Sequence, residues 1–390
     1  DFRLLWVSTL FQSLGMGMDQ VALGWLVLEM TNSPFMVTVS FAARMAPFFF
    51  LGVLSGAIAD RVDRRLLVRS VTFGGSIVAG SMAMLLLTGT AQVWHVMALA
   101  VAIGSVFAVY MTVSQAYAYD IVGPENALNG LSLIALSQRA GGVGGAVIAG
   151  AIIATVGVGG QYLAAGASYL VATAVLLATR DIGETASTRR QPVLQNLVEY
   201  VQLLRRTRTL LILMALAATT EIFGFTHQSL LPVFAKDVLG VGAMGLGVMV
   251  AFRQGGGIIG LVLLASLGDF RSKGRLIFIT AGFFGLGLMA FYVVSDMLLF
   301  VAVLAFVNAC AAVVDTLYRT LMQANVPNEQ RGRAMGSWVL SIGVAPVGYM
   351  AVGAMAGAFG APLALLINGG VLVFASAGTA AGLPKIRRLP

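Results

Sequence analysis

Gly52-Val53-Leu54-Ser55-Gly56-Ala57-Ile58-Ala59-Asp60-Arg61-Val62-Asp63-Arg64-Arg65 runs from apolar helix into a charged turn, and another apolar run begins at Val68. Small residues at Gly52, Ser55, Gly56 and Ala59 thin one face of the first helix, so a neighbouring helix can approach it closely. The acids and arginines then stand where hydrocarbon gives way to water. A turn of this kind between two greasy helices is expected at a membrane surface.

The rest of the chain agrees. Of its 390 residues, 58% are hydrophobic and 10% charged, and the mean hydropathy is +0.91. Soluble domains carry about 25% charged residues, so the composition excludes an ordinary soluble enzyme. The 47 glycines suit close helix packing in lipid. Cys310, the only cysteine, lies in an apolar run, where it reads as a packing residue. The chain opens at Asp1, without a cleavable leader, so residues preceding it are expected.

Twelve apolar spans are expected, at about 4–30, 35–59, 68–88, 94–118, 127–156, 161–179, 209–234, 243–267, 276–294, 298–323, 334–358 and 361–381. Most connections are short and carry Pro, Gly or Asn, as in Asn32-Ser33-Pro34 and Gly123-Pro124. The exception is the polar, Arg-rich stretch 180–208. Within it Leu194, Leu197, Val198, Val201 and Leu204 recur at helical spacing, which predicts a short amphipathic helix or an ordered linker. Nineteen of the 24 Lys and Arg residues fall on the side of the N-terminus, and the opposite loops hold only Lys236. The positive-inside rule places both termini and the central stretch in the cytoplasm. The net charge of +8 is thus a topology signal and not a nucleic-acid footprint.

The halves repeat. Tyr110-Met111-Thr112-Val113-Ser114-Gln115-Ala116 matches Tyr318-Arg319-Thr320-Leu321-Met322-Gln323-Ala324. Arg44 precedes Asp60 by the same interval that separates Arg253 from Asp269. Parallel six-span repeats about an axis along the membrane normal are expected.

Ionisable side chains in hydrocarbon are expensive, so they face protein or water. The mid-span candidates are Asp19, Arg44, Arg139, Glu221, His227, Arg253, Asp315 and Arg319. Asp19 follows Gly15 and Gly17, with Arg44 one hairpin away at similar depth. Burial and a nearby arginine act on a carboxylate in opposite senses, which suits a group that loads and releases a proton. A static Asp19–Arg44 pair fixing two helices is the plainer alternative. Glu221 and His227 are the second proton-handling candidates, with His227 alternatively a hydrogen-bonded packing residue. Asp315 and Arg319, at i and i+4, read first as an intrahelical pair. Trp25, Tyr110, Tyr117 and Phe223, with Gln115 and Gln228, are candidate cavity surface for an amphipathic ligand. No P-loop, metal cluster or enzyme constellation is present in the sequence, so neither ATP hydrolysis, a cofactor nor a metal is expected.

The residues Gly56, Asp60, Arg61, Arg64 and Arg65 resemble the helix 2–3 loop of the major facilitator superfamily, with Asp63 standing where that family usually has glycine. Gly141-Gly142-Val143-Gly144-Gly145-Ala146 after Arg139 resembles the glycine-rich span-5 motif of its antiporters, with Ala146 at the expected proline. Gly343-Val344-Ala345-Pro346-Val347-Gly348 restores that pattern in span 11. The family's span-4 arginine motif is absent. The best local likeness is to the bacterial enterobactin-exporter-like and macrolide-efflux-like branch.

The resemblance implies an all-α polytopic membrane protein with twelve transmembrane helices in two pseudo-symmetric bundles, 1–180 and 209–390, joined by a cytoplasmic linker at 181–208. Spans 1, 4, 7 and 10 would line a central cavity. Asp60 would latch onto helix 11 near Arg333, Asp120 would pair with Arg61, and Asp269 would form a weaker second latch. The implied function is proton-coupled export of a small amphipathic molecule from a bacterial inner membrane by a monomer, with protons, substrate and membrane lipid as partners. An importer or uniporter, a lysophospholipid flippase and a non-transporting sensor or scaffold are the alternatives.

Overall fold

The computed structural model describes residues 1–59, 62–180, 204, 207–268, 270, 272–326 and 331–389, and of residues 49, 52–59, 124, 128 and 331–336 the backbone only. Helices account for almost all of it, and no strand occurs among the described residues. In chain order they are α1 (Phe2–Thr31), α2 (Pro34–Ala59) and α3 (Arg64–Leu87). Then come α4 (Val93–Gly123), α5 (Glu125–Val156), α6 (Val158–Leu177), α7 (Arg208–Val238) and α8 (Gly242–Ser266). The rest are α9 (Lys273–Ala290), α10 (Met297–Ala324), α11 (Arg331–Gly343, then Ala345–Phe359), α12 (Ala361–Gly382) and the short α13 (Pro384–Arg387). Ten of these are long and apolar enough to cross a membrane; α1 and α2, of 30 and 26 residues, have the length as well.

Local chemistry sets the joints. Asn32 ends α1 in the left-handed conformation. Asp63 accepts from the N–H groups of Arg65 and Leu66 and so caps α3, which explains an acid at that loop position. Gly123 has φ 72° and turns α4 directly into α5. Gly157 and Gly360, each at φ 88°, make the matching one-residue joints α5–α6 and α11–α12.

Span 7 departs from the continuous helix expected of it. It is α-helical over Arg208–Phe223, tightens to a 3₁₀ turn over Phe225–Leu230 and widens to a π turn over Phe234–Val238. Pro232 has no N–H to give to the carbonyl of Gln228, and its ring crowds that carbonyl.

The chain packs as two compact units, Asp1–Ser187 with Ser229–Gln254, and Thr188–Gln228 with Gly255–Pro390. In the first unit α1 is the hub. Ser8 Oγ donates to Ala172 O and Ser168 Oγ to Phe11 O, tying α1 to α6. Against α5 the contact is backbone to backbone: a Cβ on Gly145 would overlap Leu14 O, and one on Gly141 would stand 2.5 Å from Leu10 O. The segment 229–254 joins the same unit, with Gly150 and Gly247 bringing α5 and α8 together. Gly145→Ala is therefore expected to lower stability by about 1–3 kcal/mol through forced helix separation. Thermal unfolding in detergent checks this, with Gly144→Ala, whose Cβ would meet open space, as the neutral control.

In the second unit Ser376 Oγ donates to Phe278 O between α12 and α9, and Ser341 Oγ to Met214 O between α11 and α7. The sequence repeat has a bond to match it. Tyr110 Oη of α4 donates to Thr9 Oγ1 of α1 at 3.1 Å, and Tyr318 of α10 stands 3.3 Å from Thr220 Oγ1 of α7.

The predicted amphipathic helix falls outside the described residues apart from Leu204, which packs on the core of the second unit.

Candidate functional site

In the first unit the interior charge is a pair. Asp19 and Arg44 are 5% and 7% exposed, with Arg44 Nη1 3.1 Å from Asp19 Oδ2. Gly17 and Gly104 make room for it, since a Cβ on either would strike the backbone of Gly142 or of Arg44 itself. The contact is ionic without being well bonded: Asp19 Oδ2 and Arg44 Nε make no hydrogen bond. Beside it, Gln20 accepts from Arg253 Nη2 of α8 at 3.2 Å. Arg253, which stands in the second repeat where Arg44 stands in the first, thus reaches α1. At the far end of α1, Asn32 Oδ1 accepts from Lys236 Nζ at 2.9 Å. Arg139 is half-buried midway along α5.

The second unit brings together Glu221, Asp315 and Arg319. Asp315 and Arg319 form the intrahelical salt bridge expected of them. Trp338 of α11, which the sequence reading passed over, closes on both: its Nε1 donates to Asp315 Oδ1 at 2.6 Å and its ring lies 4.5 Å from the Arg319 guanidinium. Glu221 is half-buried and feels the charges of Asp315 and Arg319, yet no hydrogen bond or ion pair joins it to another described residue.

His227 takes the packing role. Its Nδ1 stands 2.7 Å from Gly224 O, and Asn308 Nδ2 stands 3.3 Å from its Nε2. The carbonyl can only accept, so Nδ1 carries the hydrogen and Nε2 accepts from the amide. The other Asn308 N–H goes to Leu304 O. Neutral imidazole satisfies every partner. His227→Gln is expected to preserve pH-driven transport, whereas His227→Phe takes the acceptor from the Asn308 amide and lowers stability by about 1–3 kcal/mol, read by thermal unfolding; Gly224 O keeps the backbone N–H of residue 227. Asn308 carried no sequence signal beyond being an amide in an apolar run.

The candidate ligand surface divides. Tyr110 and Tyr117 are packed in a hydrophobic core with Leu5, Val68 and Leu176, so they present no surface here. Trp25 is buried and donates to Glu29 Oε1 at 2.6 Å. Gln228 donates to Tyr349 Oη. Gln115 is exposed and Phe223 half-buried.

At the charged turn, Arg64 Nη1 bonds Asp120 Oδ1 at 2.7 Å, the role the resemblance gave to Arg61. Arg65 donates to Arg180 O, and Arg69 gathers the carbonyls of Leu176, Leu177 and Thr179 to cap α6. Asp60, Arg61 and Asp269, and the side chain of Arg333, lie outside the described residues, and the latch expected of them with Gly56 does too.

An all-helical, repeat-built bundle of membrane-length helices with ionic groups buried between them has the major facilitator fold. The chain belongs to the transmembrane secretion effector family of that class (MFS_3), which matches residues 1–388. It is 24% identical over 358 residues to the staphyloferrin A transporter of Staphylococcus aureus, covering 90% of this chain and 89% of that protein. It is 25% identical over 341 residues to the enterobactin exporter EntS of Citrobacter koseri, covering 86% and 80%. In three dimensions it is similar to a mutant form of the nucleoside transporter NupG, with TM-score 0.82, 12% identity and coverage of 98% and 99%. A bacterial homolog of the human lysosomal transporter Spinster gives TM-score 0.78, 15% identity and coverage of 100% and 98%. These two share the fold. The protein is a multi-pass membrane transporter with siderophore transporters among its relatives.

Proposed function

We propose that this transporter exports a small amphipathic molecule of siderophore-like or drug-like chemistry, in exchange for protons, from a bacterial cytoplasm. Both termini face that cytoplasm, a placement supported by the bias of positive charge. The observation that carries coupling is the buried Asp19–Arg44 pair: an acid held deep in the bundle by one ionic contact, with hydrogen-bonding capacity unspent. A carboxylate so placed exchanges its arginine for a proton as the surroundings rearrange. The siderophore relatives support the cargo class, and Glu221, Asp315 and Arg319 supply polar surface in the second unit. The test is substrate-dependent proton movement in inverted membrane vesicles, with a ferric-free catecholate or carboxylate siderophore and a cationic dye as the two probes. An imposed pH gradient that drives neither probe inward overturns export by exchange.

A further inference from the structure

A cavity of about 10 Å³ lies against Asp19, between α1, α3, α4 and α6. Its walls are Leu23, Val78, Met82, Val96, Ala100 and Ile103, with Tyr162 of α6. The α3 residues lie in the C-terminal half of their helix and the α4 and α6 residues in the N-terminal halves of theirs, on the side of the bundle remote from the first residue of the chain. The volume is that of one water molecule.

The helices of this bundle carry further unspent polar atoms. Asp19 Oδ2, Arg44 Nε, Tyr169 Oη, Thr72 Oγ1 and both amide atoms of Gln12 and of Gln161 are buried without a hydrogen-bond partner. Ser8, Gln12, Gly15 and Asp19 fall at helical spacing along α1, and the Tyr169 ring lies over Gly15, where a Cβ would come within 2.9 Å of its Cζ. Buried polar groups are normally satisfied, and where protein does not satisfy them, internal water does.

We infer that this crevice holds water against Asp19 and is the route by which the proton reaches that carboxylate, through the interior of the first bundle and not through a substrate pathway. The inference rests on Asp19 as the coupling group. The crevice water passes one of its hydrogens to the Asp19 carboxylate and takes one from the next water outward, so charge and atoms balance. Neutral Asp19 then releases the Arg44 guanidinium, and the unpartnered Tyr169 hydroxyl, which lies within the electrostatic reach of both, is the acceptor that receives it. The groups facing Asp19 are Arg44 from α2 and Tyr162 and Tyr169 from α6. Arg253 of α8 is bonded to neighbouring Gln20, the α3 and α4 walls carry no charge, and α5 presents the backbone at Gly142 to Gly17. With a guanidinium 3.1 Å from the carboxylate, the site suits a proton and repels a metal cation.

The test fills the crevice without touching Asp19. Ala100→Leu in the full chain, reconstituted with a trapped pH dye, is expected to slow proton uptake by about tenfold or more, a conservative share of what a positioned proton carrier contributes. Ala100→Ser, which leaves room for water, is expected to keep the parent rate and shows that the position tolerates change. Full proton uptake in a folded Ala100→Leu protein overturns the route. If Asp19→Asn itself retains full coupling, the underlying assignment fails instead. Uptake driven by a sodium gradient in place of a pH gradient overturns the proton as the ligand.

Discussion

Asp19→Asn is expected to abolish transport driven by a pH gradient and to destabilise the protein. The two effects come from the same pair. Asparagine keeps the shape of the carboxylate and cannot change charge, so an exchange that needs the group charged in one state and neutral in another stops. It also leaves the Arg44 guanidinium, 7% exposed, without a counterion inside the bundle. Removing one partner of a buried pair is strongly destabilising, by about 3–5 kcal/mol, because the other charge is stranded. The double variant Asp19→Asn with Arg44→Gln separates the consequences. It strands nothing and is expected to recover most of the melting temperature, while pH-driven flux stays at background. Recovery of flux in the double variant makes the pair a structural brace between α1 and α2 and removes it from coupling. Measurement of unfolding in detergent beside flux in vesicles decides between these outcomes.

How much of this was legible in the sequence depends on whether the signal was local. The helices were legible because each apolar run is long and its ends are marked by Gly, Pro, Asn or charge. The joints at Gly123 and Gly157 stand where glycine permits positive φ. The Asp19–Arg44 pair was legible because a charge in hydrocarbon needs a partner and the hairpin supplies one at matching depth. The internal repeat was legible as a string of residues, but not its meaning. Tyr110 and Tyr318 each bond a threonine on the helix beside them, and Tyr110, expected as cavity surface, is packed in the core instead. The break in α7 needed more than the presence of Pro232, since a single proline in a span predicts a kink and not a 3₁₀ turn followed by a π turn. The other partners across helices were not legible. Nothing in the sequence joins Trp338 to Asp315, Asn308 to His227 or Gln20 to Arg253, because those contacts depend on how the helices rotate as they pack.

Glu221→Gln is expected to reverse half of the Asp19→Asn result: flux falls and stability does not. Glu221 occupies the lower half of α7, just before the 3₁₀ turn, and the structure leaves it without a bonded partner among the described residues. The cation that acts on it, Arg319, is already engaged by Asp315 and covered by the Trp338 ring. Asp315 adds a like charge. A carboxylate in that setting is an expense to the fold, since an unpaired charge at the centre of a membrane helix costs about 2.5–3.5 kcal/mol even by lenient scales. Glutamine removes the charge without changing the shape, so the melting temperature is expected to hold or rise. If the carboxylate takes part in exchange, pH-driven flux of the exported probe falls by about tenfold or more, the low end for loss of a positioned proton-transfer group being larger still. The comparison is sharp because both substitutions replace one acid with its amide. A Glu221→Gln protein that melts as early as Asp19→Asn shows that Glu221 is a paired structural group. One that melts normally and transports normally shows that the polar cluster of the second unit serves the fold alone, and that coupling resides in the first.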